Sequence, residues 1–328
     1  MRFLMMAVAL IGMIPTGLAR AADPPPLSRE AKIPLGSVKG RIDHLAFDPD
    51  RSLLFVAELG NDSVGVVDLQ KRSVAHHIAG LSEPQGVAWH APSSTLYVAN
   101  GGDGSVRLFQ ATDFAAIGRI DLGADADNVR IDSWRNRIVV GYGKGALALI
   151  DPVSRRKTGE LKLAAHPEGF QFDGSGARIA VNVPDAGQVT VLDAVSGSKV
   201  GTFENADASA NFPMAIDADA NRVLVVYRRP ARLAGFGIAT GKRELSIETC
   251  RDADDVFVDA RRHRIYVTCG EGAIDVFAQN GGGYARIDRI ATVSGARTGL
   301  FVPSTDRLYL AVRASGSEPA AIWVFSPK

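Results

Sequence analysis

The chain alternates short apolar runs with turns rich in Gly, Asp and Asn, and the alternation is periodic. One run recurs as "HLAFD" (44–48), "GVAWH" (86–90), "NVRID" (128–132), "GFQFD" (169–173), "PMAID" (213–217), "DVFVD" (255–259) and "GLFVP" (299–303). Their last residues are spaced by 42, 42, 41, 44, 42 and 44. A second run keeps the same phase ("LLFVAE", "TLYVAN", "RIVVGY", "RIAVNV", "RVLVVY", "RIYVTC", "RLYLAV"), and so does a third, from "VGVVDL" to "IWVFSP". A weaker fourth run follows in the first six units. Four short strands at a period of 40–45 residues predict a β-propeller, because one such sheet cannot cover its own two faces and a ring of them can. The count is seven blades. The rungs of a parallel β-helix, the competing repeat fold, are shorter.

The seventh unit stops after its third strand, at "AIWVFSPK". The segment "AKIPLGSVKG" (31–40) precedes the first unit and has no partner of its own. The reading is therefore an all-β, seven-bladed propeller of four-stranded antiparallel blades, closed when segment 31–40 supplies the outer strand of the last blade. Closure removes open sheet edges.

The ends add an address. Met1 and Arg2 precede a twelve-residue apolar run, Phe3 to Ile14, and Ala19-Arg20-Ala21 offers a cleavage site. The run is shorter than the roughly 20 residues of a membrane span, and this order is that of a secretory signal. The expected layout is a signal peptide at 1–21, a Pro-rich linker at 22–30, and one propeller domain at 31–328. The mature chain is expected in the periplasm or outside the cell, as a monomer without a membrane span. Removing Arg2 and Arg20 takes the formal charge from +1 to −1. That balance gives no general footprint for nucleic acid.

Blade geometry then sorts the candidate residues. In a meander whose first strand lines the channel, the residues before each first strand converge on one mouth. These are Asp43 and His44, Gln85, Asp127 and Asn128, Glu168, Asn211, Asp254 and Asp255, and Arg297. They are the expected ligand-binding set. Asp259 instead holds the strand-end position shared by Asp48, Asp132, Asp173 and Asp217, and reads as a turn residue of the repeat. Asp252 reads as a surface acid. His166 is a minor candidate near the mouth. Arg228 and Arg229 read as a solvated loop on the same rim. His76 and His77 lie in an outer strand and point to opposite faces, so they do not make a metal pair. Cys250 and Cys269, the only cysteines, fall at strand ends on one rim of adjacent blades, and a disulfide between them is expected.

The stretches "LYVANGGDGSVRLF" and "IYVTCGEGAIDVF" resemble the YVTN-repeat, YncE-like family of exported bacterial seven-bladed propellers, over about 40–328. That resemblance implies binding of a small molecule or an envelope protein at the channel mouth, and a single-stranded DNA-binding activity is associated with the YncE name. A weaker similarity is to gluconolactonase and regucalcin-type propellers. It implies a Ca²⁺ or Mg²⁺ site, with Asp43, Glu168, Asn211 and Asp254 as ligands, and a metal-dependent lactonase-like hydrolase as the alternative function. "PEGFQFD" departs from that family's pattern, with Glu168 where the family has Asn. Spacing assigns no Ser-His-Asp constellation, and no CxxCH haem motif or P-loop is present, so catalytic residues are unknown from sequence.

Overall fold

In the computed structural model, residues 24–204 and 207–328 are described. The expected signal peptide lies outside them. The described residues form seven four-stranded antiparallel sheets, and six of these are simple meanders in chain order. The innermost strands are Leu45–Asp48, Pro84–His90, Ala126–Asp132, Phe170–Phe172, Ser209–Asp217, Ala253–Asp259 and Gly299–Val302.

Burial explains the sequence pattern. The second strands are covered on both faces by neighbouring blades, as in Thr95–Asn100, where every residue is buried. They therefore read as continuous apolar runs. The outer strands keep few buried positions. In Ser73–Ala79 only Ile78 is buried. The apolar core is correspondingly a series of clusters between adjacent blades.

The seventh sheet closes the ring. Its strand order is Leu27–Pro34, Ala321–Pro327, Arg307–Val312, Gly299–Val302. The closing strand thus starts and ends earlier than the expected 31–40. The reason lies in the glycines: Gly36 and Gly40 have φ of +77° and +74°, a left-handed backbone that breaks an extended run. Leu35, Val38 and Ile42 instead pack into the cluster between blades seven and one, with Leu54, Val56 and Ile322. Leu27 and Ile33 are each 1% exposed, so the closing strand is anchored at both ends.

The repeated strand-end acids are structural. Asp48, Asp132, Asp217 and Asp259 are all buried. Asp259 accepts hydrogen bonds from Tyr266 Oη at 2.8 Å and Arg262 Nη1 at 3.1 Å. Asp217 accepts one from Tyr284 of the next blade at 2.8 Å. No helix among the described residues is long and apolar enough to cross a membrane.

Candidate functional site

The inner strands are not regular where they reach the mouth. Register shifts fall between Pro84 and Val87, Ala126 and Val129, Asn211 and Met214, and Ala253 and Asp255. A bulge leaves residues outside the ladder and re-aims their side chains. The residues inside these four shifts include Gln85, Asp127, Asn128 and Asp254, and all four line one cavity. Tight packing of the inner strands supports this arrangement: a Cβ on Gly86 would lie 2.0 Å from the Asp127 carbonyl oxygen, so only glycine fits there.

The cavity has a volume of about 240 Å³. Nine of the ten expected mouth residues line it: Asp43, His44, Gln85, Asp127, Asn128, Glu168, Asp254, Asp255 and Arg297. Asn211 does not. Its Nδ2 donates to Asn182 Oδ1 and to the Gln188 carbonyl, both at 3.0 Å, and so it ties blade five to blade four. Arg41, Asp125, Arg130, His166 and Arg228 also line the cavity. They were not in the expected set.

Three groupings divide the site. In the first, His44 stands between two carboxylates, with Nε2 3.8 Å from Asp43 Oδ1 and Nδ1 4.0 Å from Asp255 Oδ1. Arg41 Nη2 lies 2.6 Å from Asp43 Oδ2. Burial pushes the Asp43 carboxyl up to about 6 against the pull of His44 and Arg41. Burial likewise pushes Asp255 up to about 7, although His44 and the Gly299 N–H favour its ionised form. Burial works against a charged His44, but the surrounding carboxylates win and raise its pKa.

In the second grouping, Arg228 and Arg297 enclose Asp254. Arg228 Nη2 is hydrogen-bonded to Asp254 Oδ1, and Arg297 Nε lies 2.9 Å from Asp254 Oδ2. Arg297 Nη1 also donates to Asp252 Oδ1 at 2.8 Å. Arg228 is therefore not a solvated loop residue: its guanidinium stacks 3.9 Å from the Phe212 ring centroid. Asp252 is likewise not a free surface acid.

In the third, Asp127, His166 and Glu168 bring one ligand atom each within 4.8 Å of one another. His166 Nδ1 lies 2.6 Å from the Gly143 carbonyl oxygen, which can only accept, so Nδ1 carries the proton. Nε2 faces Asp127 Oδ2 at 3.9 Å. Burial disfavours a charged His166, but Asp127, the Gly143 carbonyl and Asp125 lift it to about 9. Burial and the Asp127 charge push the Glu168 carboxyl up to about 8. Burial opposes ionisation of Asp127 too, but His166, His44 and Arg41 hold it below its ordinary value. Of the metal ligands implied by the gluconolactonase resemblance, Glu168 belongs to this cluster, Asp43 pairs with Arg41 and His44, Asp254 pairs with two arginines, and Asn211 sits behind the wall.

Cys250 and Cys269 are joined, with Cα atoms 5.8 Å apart. The bond anchors the turn leading to Asp252 and Asp254. Asp275 Oδ2 accepts the Cys250 N–H at 2.8 Å, and Arg289 donates to both oxygens of that carboxylate.

Comparison with known proteins supports the architecture and stops there. No family model matches the chain, and no curated protein matches it. Among solved structures, it is similar to a Kuenenia stuttgartiensis hydrazine synthase chain, with a TM-score of 0.74 and 16% identity over 93% of this chain and 99% of that one. It is also similar to a chain of a mitotic checkpoint complex, with a TM-score of 0.76 and 17% identity over 97% of this chain and 98% of the other. At such identities the likeness defines the class alone: a seven-bladed β-propeller. Propellers host many unrelated activities, so function has to come from the mouth.

Proposed function

We propose that this protein is an exported propeller, of the kind the YVTN-type repeats resemble, that binds a small polar ligand at one mouth of its channel. The observation that carries the reading is the cavity of about 240 Å³ in which acids (Asp43, Asp127, Glu168, Asp254, Asp255) interleave with Arg41, Arg130, Arg228 and Arg297. Such a wall offers both charges and many donors, with Phe212, Pro213 and Met214 as its few apolar members. It favours a ligand carrying donors and acceptors together, as in a zwitterion or a polyhydroxy acid, and disfavours an apolar one. The Cys250–Cys269 bond supports export, since disulfides persist in oxidising compartments.

Thermal-shift screening of the purified protein against amino acids, sugar acids and apolar controls tests this. Stabilisation by a polar compound, lost in Arg297→Gln, supports it; stabilisation by apolar compounds alone overturns it.

A second reading, hydrolysis at the same mouth, is favoured by one feature. Glu168 is a carboxyl raised to about 8, and it stands beside His166. Groups tuned near neutrality suit general acid–base work. Lactone or ester turnover by the wild type, abolished in Glu168→Gln, is the result this reading requires.

A further inference from the structure

The cluster of Asp127, His166 and Glu168 carries more than the ligand reading uses. Three observations meet there. The first is the donor set itself, an imidazole and two carboxylates with one atom each inside 4.8 Å. The second is the outer hydrogen bond of the imidazole. The Gly143 carbonyl accepts from Nδ1–H at 2.6 Å, which leaves Nε2, the nitrogen that faces Asp127, as the one that exchanges its proton for an ion. A metal-binding histidine is held in this way, with its remote N–H donated to a carbonyl or carboxylate. The third is Asn128, the next residue along the bulged strand. It lines the same cavity and is 2% exposed, and its Oδ1 has no hydrogen-bond partner among the described residues. A buried carbonyl oxygen without a donor is costly, and a cation would satisfy it.

We propose that Asp127, His166 and Glu168 bind one Zn²⁺ through Nε2 of the imidazole and one oxygen of each carboxylate. The imidazole decides the class. Ca²⁺ takes roughly six to eight oxygen ligands and Mg²⁺ retains several waters, whereas an imidazole with few carboxylates suits Zn²⁺. Ligand atoms bound to one Zn²⁺ at about 2.0–2.2 Å sit roughly 3.4 Å apart, so the trio, now within 4.8 Å, closes by about 1 Å on binding. Arg41 and Arg130 also line this cavity and oppose the ion electrostatically, while Asp125, 3.7 Å from His166 Nδ1, favours it. The site does not depend on the polar-ligand reading, because such a ligand needs no ion to bind among the arginines.

The test is calorimetric titration of the chelator-treated, dialysed protein with ZnCl₂, MnCl₂, CaCl₂ and MgCl₂ separately. The expected result is one Zn²⁺ per chain, with affinity falling in the order Zn²⁺, Mn²⁺, then Mg²⁺ and Ca²⁺. His166→Ala and Glu168→Gln should each weaken Zn²⁺ by about 100-fold or more, exceeding or matching the roughly 10–100-fold cost of losing only an outer partner. His77→Ala, on an outer strand, should leave it unchanged. If His166→Ala fails to fold, the near-isosteric Glu168→Gln and Asp127→Asn carry the same readout. Co²⁺ titration adds a spectroscopic one: visible d–d absorption in the wild type, absent from Glu168→Gln. Lack of stoichiometric Zn²⁺ binding overturns the proposal. So does Zn²⁺ affinity unchanged from the wild type in both ligand variants, which would mean an adventitious surface ion, or tighter binding of Ca²⁺ or Mg²⁺ than of Zn²⁺. Failure of the thermal-shift screen with metal binding intact would remove only the ligand reading.

Discussion

Asp254 and Asp255 are adjacent in sequence and opposite in circumstance. Asp254 is enclosed by Arg228 and Arg297, while Asp255 looks along the channel at His44 and accepts the Gly299 N–H at 2.8 Å. The same isosteric change should therefore act in opposite senses at the two positions. Asp254→Asn leaves two largely buried guanidinium groups short of a counter-charge and should destabilise the fold by about 2–4 kcal/mol. Asp255→Asn removes a carboxylate that burial penalises and keeps an oxygen for Gly299, so at pH 8 it should leave stability equal or higher. Chemical denaturation of both variants at pH 8 checks the contrast, and a comparable loss in both would refute it.

The titrating carboxyls also give the fold a pH profile. Asp43 is raised to about 6 and Asp255 to about 7, from an ordinary value of 3.8. A raised carboxyl binds its proton more tightly in the folded state than in the unfolded state. Its stabilising contribution is thus complete below about pH 4 and is lost as pH rises through 6 and 7. His44, also raised, acts in the same sense. The melting temperature should therefore fall between pH 5 and 8, and Asp255→Asn should flatten that slope. Scanning calorimetry across this range would show it; a profile that rises with pH would count against the arrangement.

The bond between Cys250 and Cys269 closes a sequence separation of 19 residues. A loop of that size is worth roughly 3 kcal/mol in the chain-entropy model. The double change Cys250→Ser, Cys269→Ser should cost about that much in urea unfolding. Because Asp275 still holds the Cys250 N–H, the ring should remain folded at moderate temperature. Unfolding of the double variant under native conditions would show that the bond carries more than this.

How far the site was legible follows from what the repeat controls. Spacing alone places strand beginnings, and so it brought nine of the ten mouth residues to one cavity. It does not fix which way each one turns. Asn211 precedes its strand's apolar run like the others, but it bonds sideways to Asn182 and Gln188. Arg130 lies inside an inner strand, past the mouth positions, and reaches the cavity from there; nothing in the period marks it. Arg228 looked like loop charge because its partners, Asp254 and the Phe212 ring, come from different strands of adjacent blades. His166 carries a signal of its own: it stands two residues before Glu168, just ahead of a short inner strand, where both side chains can turn towards Asp127. The closing strand was legible as a need, since blade seven lacked a partner, and its limits were not, because Gly36 and Gly40 end the extended run in a way a hydrophobic count does not register.

Closure of the ring gives the sharpest test of the architecture. Leu27–Pro34 pairs along Ala321–Pro327, and its Ile33 packs against the cluster joining blades seven and one. Ile33→Ala removes about three carbons from a fully covered position and should cost about 2–4 kcal/mol, more than an exposed change such as Val153→Ala on a turn. Loss of the whole strand does something different in kind. It strips the backbone partners from Ala321–Pro327 and uncovers Trp323 and Phe325, creating an open apolar edge of the sort that recruits another chain. A chain beginning at residue 35 should accordingly lose the cooperative melt and self-associate, as read by calorimetry with light scattering. A truncated chain that stays monomeric and melts like the parent would mean that the ring does not depend on this strand, and the closure argument would fall.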